Sequence, residues 1–307
     1  LSINTRQPEH VVVGSSRVLQ MRAVLLTEQP DSIYNAGAPA TTLTHILDLL
    51  NSIETPPKML LLGIDADCFN DAYVPDVFPA QVDDLRAIFN QNTAVAKAAL
   101  TGRPVDISEL VTRREPGYGG LALGIKAIEN GHGFRNDGSE QYGDFLIGRF
   151  LDPAAERQRH LDWMRQGEQM YVYGDRVSEH GIQQMIDILE WAEANEVQVI
   201  GFMPPFAPEL YQRMLKRGNH TYIEQLIPKL ETLFAEYGFA FFDFSGGGDF
   251  GVHTDFFDGW HGSERVYLHL YEEMLDALPD ILGAYSDEGI LSDLDAAAPD
   301  TWHVFGQ

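Results

Sequence analysis

Met59-Leu60-Leu61-Leu62-Gly63-Ile64, bracketed by Lys58 and Asp65, is a nearly continuous apolar run that follows directly on Pro56-Pro57. The prolines end any preceding helix. The run is short and lacks the alternation of a strand with one wet face, so it predicts a strand covered on both sides. His10-Val11-Val12-Val13, Val197 to Met203 and Phe239 to Phe244 have the same character, and Asp31 to Gly37 gives a shorter strand ending in a turn. Helical spacing fills the intervals at Thr41 to Leu50, Ile182 to Ala192 and Tyr222 to Tyr237, and a last helix is expected over Glu264 to Leu278. Five strands alternating with helices predict a parallel sheet in a three-layer α/β/α sandwich with right-handed crossovers.

With 307 residues and 44% hydrophobic content, the chain can build one large core. We expect a single α/β domain over 1–285. It includes an insertion or cap at 70–177 on the ligand side of the sheet, and an acidic, loosely packed tail follows at 286–307. The insertion is expected to carry a helix over Val82 to Leu100 and turn-rich stretches at Glu115 to Gly120 and Asn130 to Ser139. Tyr118, Gly119 and Gly120 could form a lip. No stretch of about 18 apolar residues that could span a bilayer is present. The missing initiator Met suggests trimming, which leaves an upstream signal or membrane tether open.

There are 21 Lys and Arg against 46 Asp and Glu, a formal net charge of −25. Such a chain has no cationic surface for phosphates, so nucleic acid and anionic membrane surfaces are poor partners. Cys68 is the only cysteine, which excludes an internal disulfide and a cysteine-based zinc site. His132, His180, His220, His253 and His269 show no metal-like grouping and read as surface or packing residues. No cofactor is implied.

The first strand runs into Gly14-Ser15-Ser16 and then into Val18 to Ala23 at helical spacing. Open α/β sheets hold their ligands at the carboxyl ends of their strands. A hydroxyl on the first helical turn there feels the free N–H groups and the dipole of the helix. Ser16 is therefore the candidate nucleophile. After the fifth strand comes Asp255-Phe256-Phe257-Asp258-Gly259-Trp260-His261. A separation of three places Asp258 and His261 on one side of a turn, where a carboxylate can hold the imidazole Nδ1–H and leave Nε2 free. A serine hydroxyl needs such a base, and the base needs such a carboxylate.

These blocks together resemble the SGNH (GDSL-like) hydrolase superfamily, over Glu9 to Asp65 and Val197 to Leu278. The Gly-Ser-Ser form and Phe134-Arg135-Asn136-Asp137-Gly138-Ser139 resemble the SGNH-like proteins of cell-surface polysaccharide O-acetylation, the alginate acetyltransferases among them. The resemblance implies Ser16 as nucleophile, Asp258 as orienting carboxylate and His261 as base. It also implies an oxyanion hole of the Ser16 N–H, a second-block backbone N–H and a third-block Asn side chain. Ala40 stands at the second-block glycine, with Gly37 as the alternative donor. Asp65 stands where the family has Asn, and an ionised carboxylate accepts hydrogen bonds but does not donate them. The implied activity is a serine esterase or O-acyltransferase, with acetyl ester chemistry on a carbohydrate or envelope glycan expected, in a periplasmic or extracellular protein. Membrane anchoring and a cytoplasmic address both stay open.

Two other readings compete. An SGNH-like domain that has lost catalysis could bind a glycan or a partner protein, and Asp65 supports it. Asp65-Ala66-Asp67 after a strand also suits a metal-dependent phosphatase or glycosyltransferase, although Phe69 replaces the Thr or Val expected of a dehalogenase-like phosphatase.

Overall fold

The structure, a computed structural model, describes residues 2–39, 41–74, 131–143, 146, 152–247 and 250–305. The expected helix over Val82 to Leu100, the turns at Glu115 to Gly120 and the oxyanion candidate Ala40 lie outside the described residues. Among the described residues the strands are β1 (His10–Val13), β2 (Ile33–Asn35), β3 (Met59–Gly63), β4 (Gly133–Phe134), β5 (Glu140–Gln141), β6 (Gln198–Met203) and β7 (Ala240–Asp243). The α-helices are α1 (Ser2–Arg6), α2 (Leu43–Asn51), α3 (Pro153–Gln166), α4 (Glu179–Ala194), α5 (Pro208–Arg217), α6 (Thr221–Glu236), α7 (Glu264–Ala277), α8 (Pro279–Leu282) and α9 (Glu288–Ala297).

Five strands form one parallel sheet in the order β2-β1-β3-β6-β7, and β4 and β5 make a separate antiparallel pair. This is the doubly wound order whose switch point lies at β1 and β3, so the crevice above their carboxyl ends is where a ligand site belongs. Every residue of β1 and β3 is buried, as the apolar runs require, while β7 at the edge is partly exposed. Helices α2 and α4 pack together, α6 lies along β7, and α7 packs with α8 and α9. Thr42 opens α2 by accepting the His45 N–H, and the His45 ring accepts the Thr42 N–H in return. No helix among the described residues is long and apolar enough to cross a membrane.

Two segments differ from expectation. The helix expected after Ser16 is instead a 3-10 helix, Ser16–Gln20, followed by a second over Ala23–Leu25. Arg17, Val18, Leu19 and Gln20 are all buried, and a segment gripped on every side follows its tertiary contacts rather than its helical spacing. Ser16 therefore stands on a short turn and not at the head of a long helix dipole. The C-terminal stretch expected to be loosely packed carries α9 and docks. Leu291, Val304 and Phe305 are buried, Asp295 pairs with Arg265 at 2.7 Å, and the Ser286 hydroxyl lies 2.6 Å from that of Tyr271.

The 3-10 turn is keyed into the sheet by one side chain. A Cβ on Gly63 would lie 2.2 Å from Val18 Cγ1, one on Gly37 would lie 2.6 Å from Val18 Cγ2, and one on Gly14 would lie 2.8 Å from Val18 Cγ1. Glycines at the exits of three adjacent strands thus leave the space that Val18 occupies, and Gly14 also takes φ +154°, a value L side chains rarely adopt.

Candidate active site

At the end of β1, Ser15 and Ser16 divide the labour. Ser15 caps the 3-10 turn by accepting the Arg17 N–H at 3.2 Å, which leaves Ser16 to face outward. Its Oγ lies 2.8 Å from Nε2 of His261. On the opposite edge of that ring, Nδ1 lies 2.8 Å from Asp258 Oδ2. Asp258 Oδ1 accepts the backbone N–H groups of Trp260 at 2.6 Å and His261 at 2.8 Å, so the loop folds around its own carboxylate. The sequence is thus seen to bring Ser16, His261 and Asp258 into one hydrogen-bonded chain from opposite ends of the molecule.

The electrostatics agree with the geometry. Burial disfavours the charged form of Asp258, but the His261 charge and the hydrogen bonds from its ring and backbone outweigh this and hold the carboxyl below the usual carboxylate range. Burial likewise pulls His261 down, yet the charge and hydrogen bond of Asp258 dominate and raise it above an ordinary imidazole. Such an imidazole is well placed to receive a hydroxyl proton.

Arg17, next to Ser16, fastens the two loops to each other. Its guanidinium is buried, with Cζ 4.2 Å from the Trp260 ring centre and 4.7 Å from that of Phe206. Trp260 is the neighbour of His261, so one cation–π stack ties the residue after Ser16 to the residue before His261. Arg17 Nη1 donates to Asp65 Oδ1 at 3.1 Å, and Nη2 donates to the Pro204 carbonyl at 2.5 Å.

That pairing corrects the oxyanion assignments. Asp65 is 7% exposed and turns its carboxylate to Arg17, so it is a counter-ion in the third block and not a donor. Gly37 is corrected as well: its N–H donates to Asn35 Oδ1 at 2.9 Å, because Asn35 closes an Asx turn at the end of β2. Ser16 is different, since its N–H has no acceptor among the described residues.

The donors of Asp65-Ala66-Asp67 do not favour the metal reading. A guanidinium already occupies Asp65 Oδ1. Burial, with the Asp65 charge adding to it, pushes the Asp67 carboxyl up, which disfavours the charged form that a hard divalent ion binds.

Two participants escaped the sequence reading. His160 of α3 is 4% exposed, with Nδ1 2.8 Å from the Tyr171 hydroxyl and Nε2 3.4 Å from Asp258 Oδ2. Glu264, the first residue of α7, receives Arg22 Nη1 at 2.7 Å and Arg135 Nη2 at 3.1 Å on Oε1, and the Phe305 N–H at 3.2 Å on Oε2. The 134–139 stretch is thereby built into the domain. Asp137 Oδ2 accepts the Ala23 N–H, and the Asp137 carbonyl accepts the Asn35 N–H. Of the five histidines read as surface or packing groups, His220 is buried and its Nε2 meets the Tyr171 carbonyl at 2.9 Å.

No family model and no curated protein matches the chain. Among solved structures it is similar to a GDSL-like lipase from Bacteroides thetaiotaomicron VPI-5482, at 10% identity and a TM-score of 0.39, covering 90% of each chain. It is also similar to a protein named as an acylhydrolase from Bacteroides fragilis NCTC 9343, at 11% identity and a TM-score of 0.38, covering 89% of this chain and 88% of that one. Likeness at this level transfers no residue role and no activity.

Proposed function

We propose that the protein is a serine-dependent acyl hydrolase or O-acyltransferase of the SGNH type. The observation that carries this reading is the chain Ser16 Oγ to His261 Nε2 and His261 Nδ1 to Asp258 Oδ2, 2.8 Å at each step. Ser16 Oγ attacks an ester carbonyl while its proton passes to His261 Nε2. A C–O bond forms, and the carbonyl electron pair moves to oxygen, toward the Ser16 N–H. Collapse breaks the ester bond, and the departing alkoxide takes the proton from His261. Water or an acceptor hydroxyl then repeats the sequence on the acyl-enzyme, giving an acid in one case and a new ester in the other.

A small acyl group on a carbohydrate, acetyl first, is the substrate class we propose, on the resemblance of the Gly-Ser-Ser and 134–139 stretches. The catalytic test is labelling by a fluorophosphonate and turnover of p-nitrophenyl acetate. Ser16→Ala is expected to abolish labelling and reduce turnover by at least about a thousandfold; equal labelling of both proteins overturns the assignment.

The occupied Gly37 N–H and the anionic Asp65 favour a second reading, in which the triad persists at low turnover and the domain chiefly binds a glycan or partner. Stoichiometric labelling of Ser16 without turnover of acetylated oligosaccharides selects it.

A further inference from the structure

We propose that His160 is a positioning residue of this same site, holding the Asp258 carboxylate against the back of His261; the proposal rests on the acyl-transfer reading above. Oδ2 of Asp258 lies between two imidazoles, His261 Nδ1 at 2.8 Å and His160 Nε2 at 3.4 Å. A neutral imidazole has one N–H and one lone pair; the Asp258 carboxylate, which only accepts, favours the proton on the facing Nε2, and the Tyr171 hydroxyl, 2.8 Å from His160 Nδ1, can then donate to the remaining lone pair. With the phenol donating to Nδ1, the proton resides on Nε2, 3.4 Å from the carboxylate oxygen. The opposite tautomer would set a nitrogen lone pair against a carboxylate oxygen.

The surroundings keep the ring in this neutral form. Burial pulls His160 down to about 4 against the attraction of Asp258, with His261 and Arg159 adding to the downward pull. Besides Asp258 and the Ser16 hydroxyl, the His261 ring feels Glu140 and Arg17, so its titration reports Asp258 in a defined setting. The close approach of α3 depends on Gly259, where a Cβ would stand 3.1 Å from His160 Cβ and 3.2 Å from the Tyr171 hydroxyl oxygen. Asp258 thus accepts three N–H hydrogen bonds, from the backbones of Trp260 and His261 and from the His261 ring, and the His160 ring nitrogen adds a longer contact at 3.4 Å. A carboxylate so surrounded neither rotates nor takes the proton when His261 becomes an imidazolium.

The experiment follows the low-field proton resonance of His261 Nδ1–H and its titration by NMR, together with p-nitrophenyl acetate kinetics. His160→Phe fills the ring's volume but removes the N–H, so more of the Asp258 charge falls on His261. We expect the His261 midpoint to rise by about half a pH unit and kcat to fall roughly tenfold at unchanged KM, a fraction of what general-base catalysis contributes. His160→Gln, which restores an N–H at similar reach, is expected to bring both back toward wild type. Tyr171→Phe leaves His160 in place, frees its tautomer and is expected to shift the midpoint in the same direction by less; it serves if His160→Phe does not fold. A folded His160→Phe with a wild-type titration, or His160→Gln behaving like His160→Phe, overturns the proposal. If the midpoint moves as expected while the wild type shows no Ser16-dependent turnover, the positioning role stands and the acyl-transfer reading falls. Ser16-dependent turnover with an unmoved midpoint removes the positioning role alone.

Discussion

Asp65 shows how a single position changes meaning once its partner is visible. In the sequence it stands at a position where the resemblance calls for an amide donor. In the structure it neutralises Arg17, whose guanidinium is otherwise enclosed by Trp260 and Phe206. Asp65→Asn therefore does not create an oxyanion donor; it removes the counter-charge of a buried cation. We expect no gain in ester hydrolysis and a loss of about 3 kcal/mol in stability, read from urea unfolding. A clear rise in activity would return the side chain to the oxyanion hole. The His261–Asp258 pair sets the pH behaviour. His261 must be neutral to accept a proton and its pKa is raised, so the acid limb of kcat/KM is expected above the ordinary imidazole value of about 6.5. For stability the signs are opposite for the two partners. The raised His261 contributes fully below its unfolded value and loses that contribution as pH rises through the folded one. The lowered Asp258 contributes above its unfolded value, and that contribution is lost as pH falls through the folded one. Both charges coexist in the folded protein across mildly acidic pH, where the contribution of the pair is at its plateau; Asp258→Asn is expected to lower that plateau and to flatten the slopes on either side of it, at more acidic pH and above the unfolded imidazole value.

The nucleophile's position is decided by the packing of Val18 among the exits of β1, β2 and β3, which suggests a test by compensation. Gly63→Ala places a methyl 2.2 Å from Val18 Cγ1, so the turn bearing Ser16 must move, and we expect kcat/KM to fall at least tenfold. Val18→Ala in that background vacates the space and is expected to recover much of the activity, although alone it opens a cavity costing about 1–3 kcal/mol. Additive losses in the double variant would show that Gly63 acts in some other way. The main strands were legible because a strand covered on both faces has nowhere to put a polar side chain, and Met59 to Gly63 has none. Helix α3 marks the opposite limit: its buried face is Glu156, His160 and Met164, spaced by four but too polar to register as an apolar stripe. The same holds for the chain's end, where Leu291, Val304 and Phe305 are sparse among acids. Spacing within one loop disclosed Asp258 and His261, whereas the attachment of Arg17 to Asp65 and of His160 to Asp258 depends on which elements meet in space.

Across the whole molecule, Glu264 joins parts of the chain that otherwise lie far apart. Arg22 from the segment after Ser16, Arg135 from the β4–β5 hairpin and the Phe305 N–H from the C-terminal stretch converge on its carboxylate, and Arg22, Arg135 and Glu264 are each at most 7% exposed. Glu264→Gln leaves two arginines facing a neutral amide. We expect a stability loss of about 3–5 kcal/mol, with faster hydrogen exchange at 133–141 and 300–305 than in the sheet. Uniform exchange across the molecule would show that the cluster is not what holds those segments.

The Ser16 hydroxyl and the imidazole that meets it are 245 positions apart, so synthesis delivers the oxygen long before its partner. A nascent chain released before residue 261 carries a serine of ordinary inertness however well its early strands have formed. Covalent capture by a fluorophosphonate thus doubles as a gauge of that late closure, separating molecules in which the two segments have met from collapsed fragments that circular dichroism would count as folded.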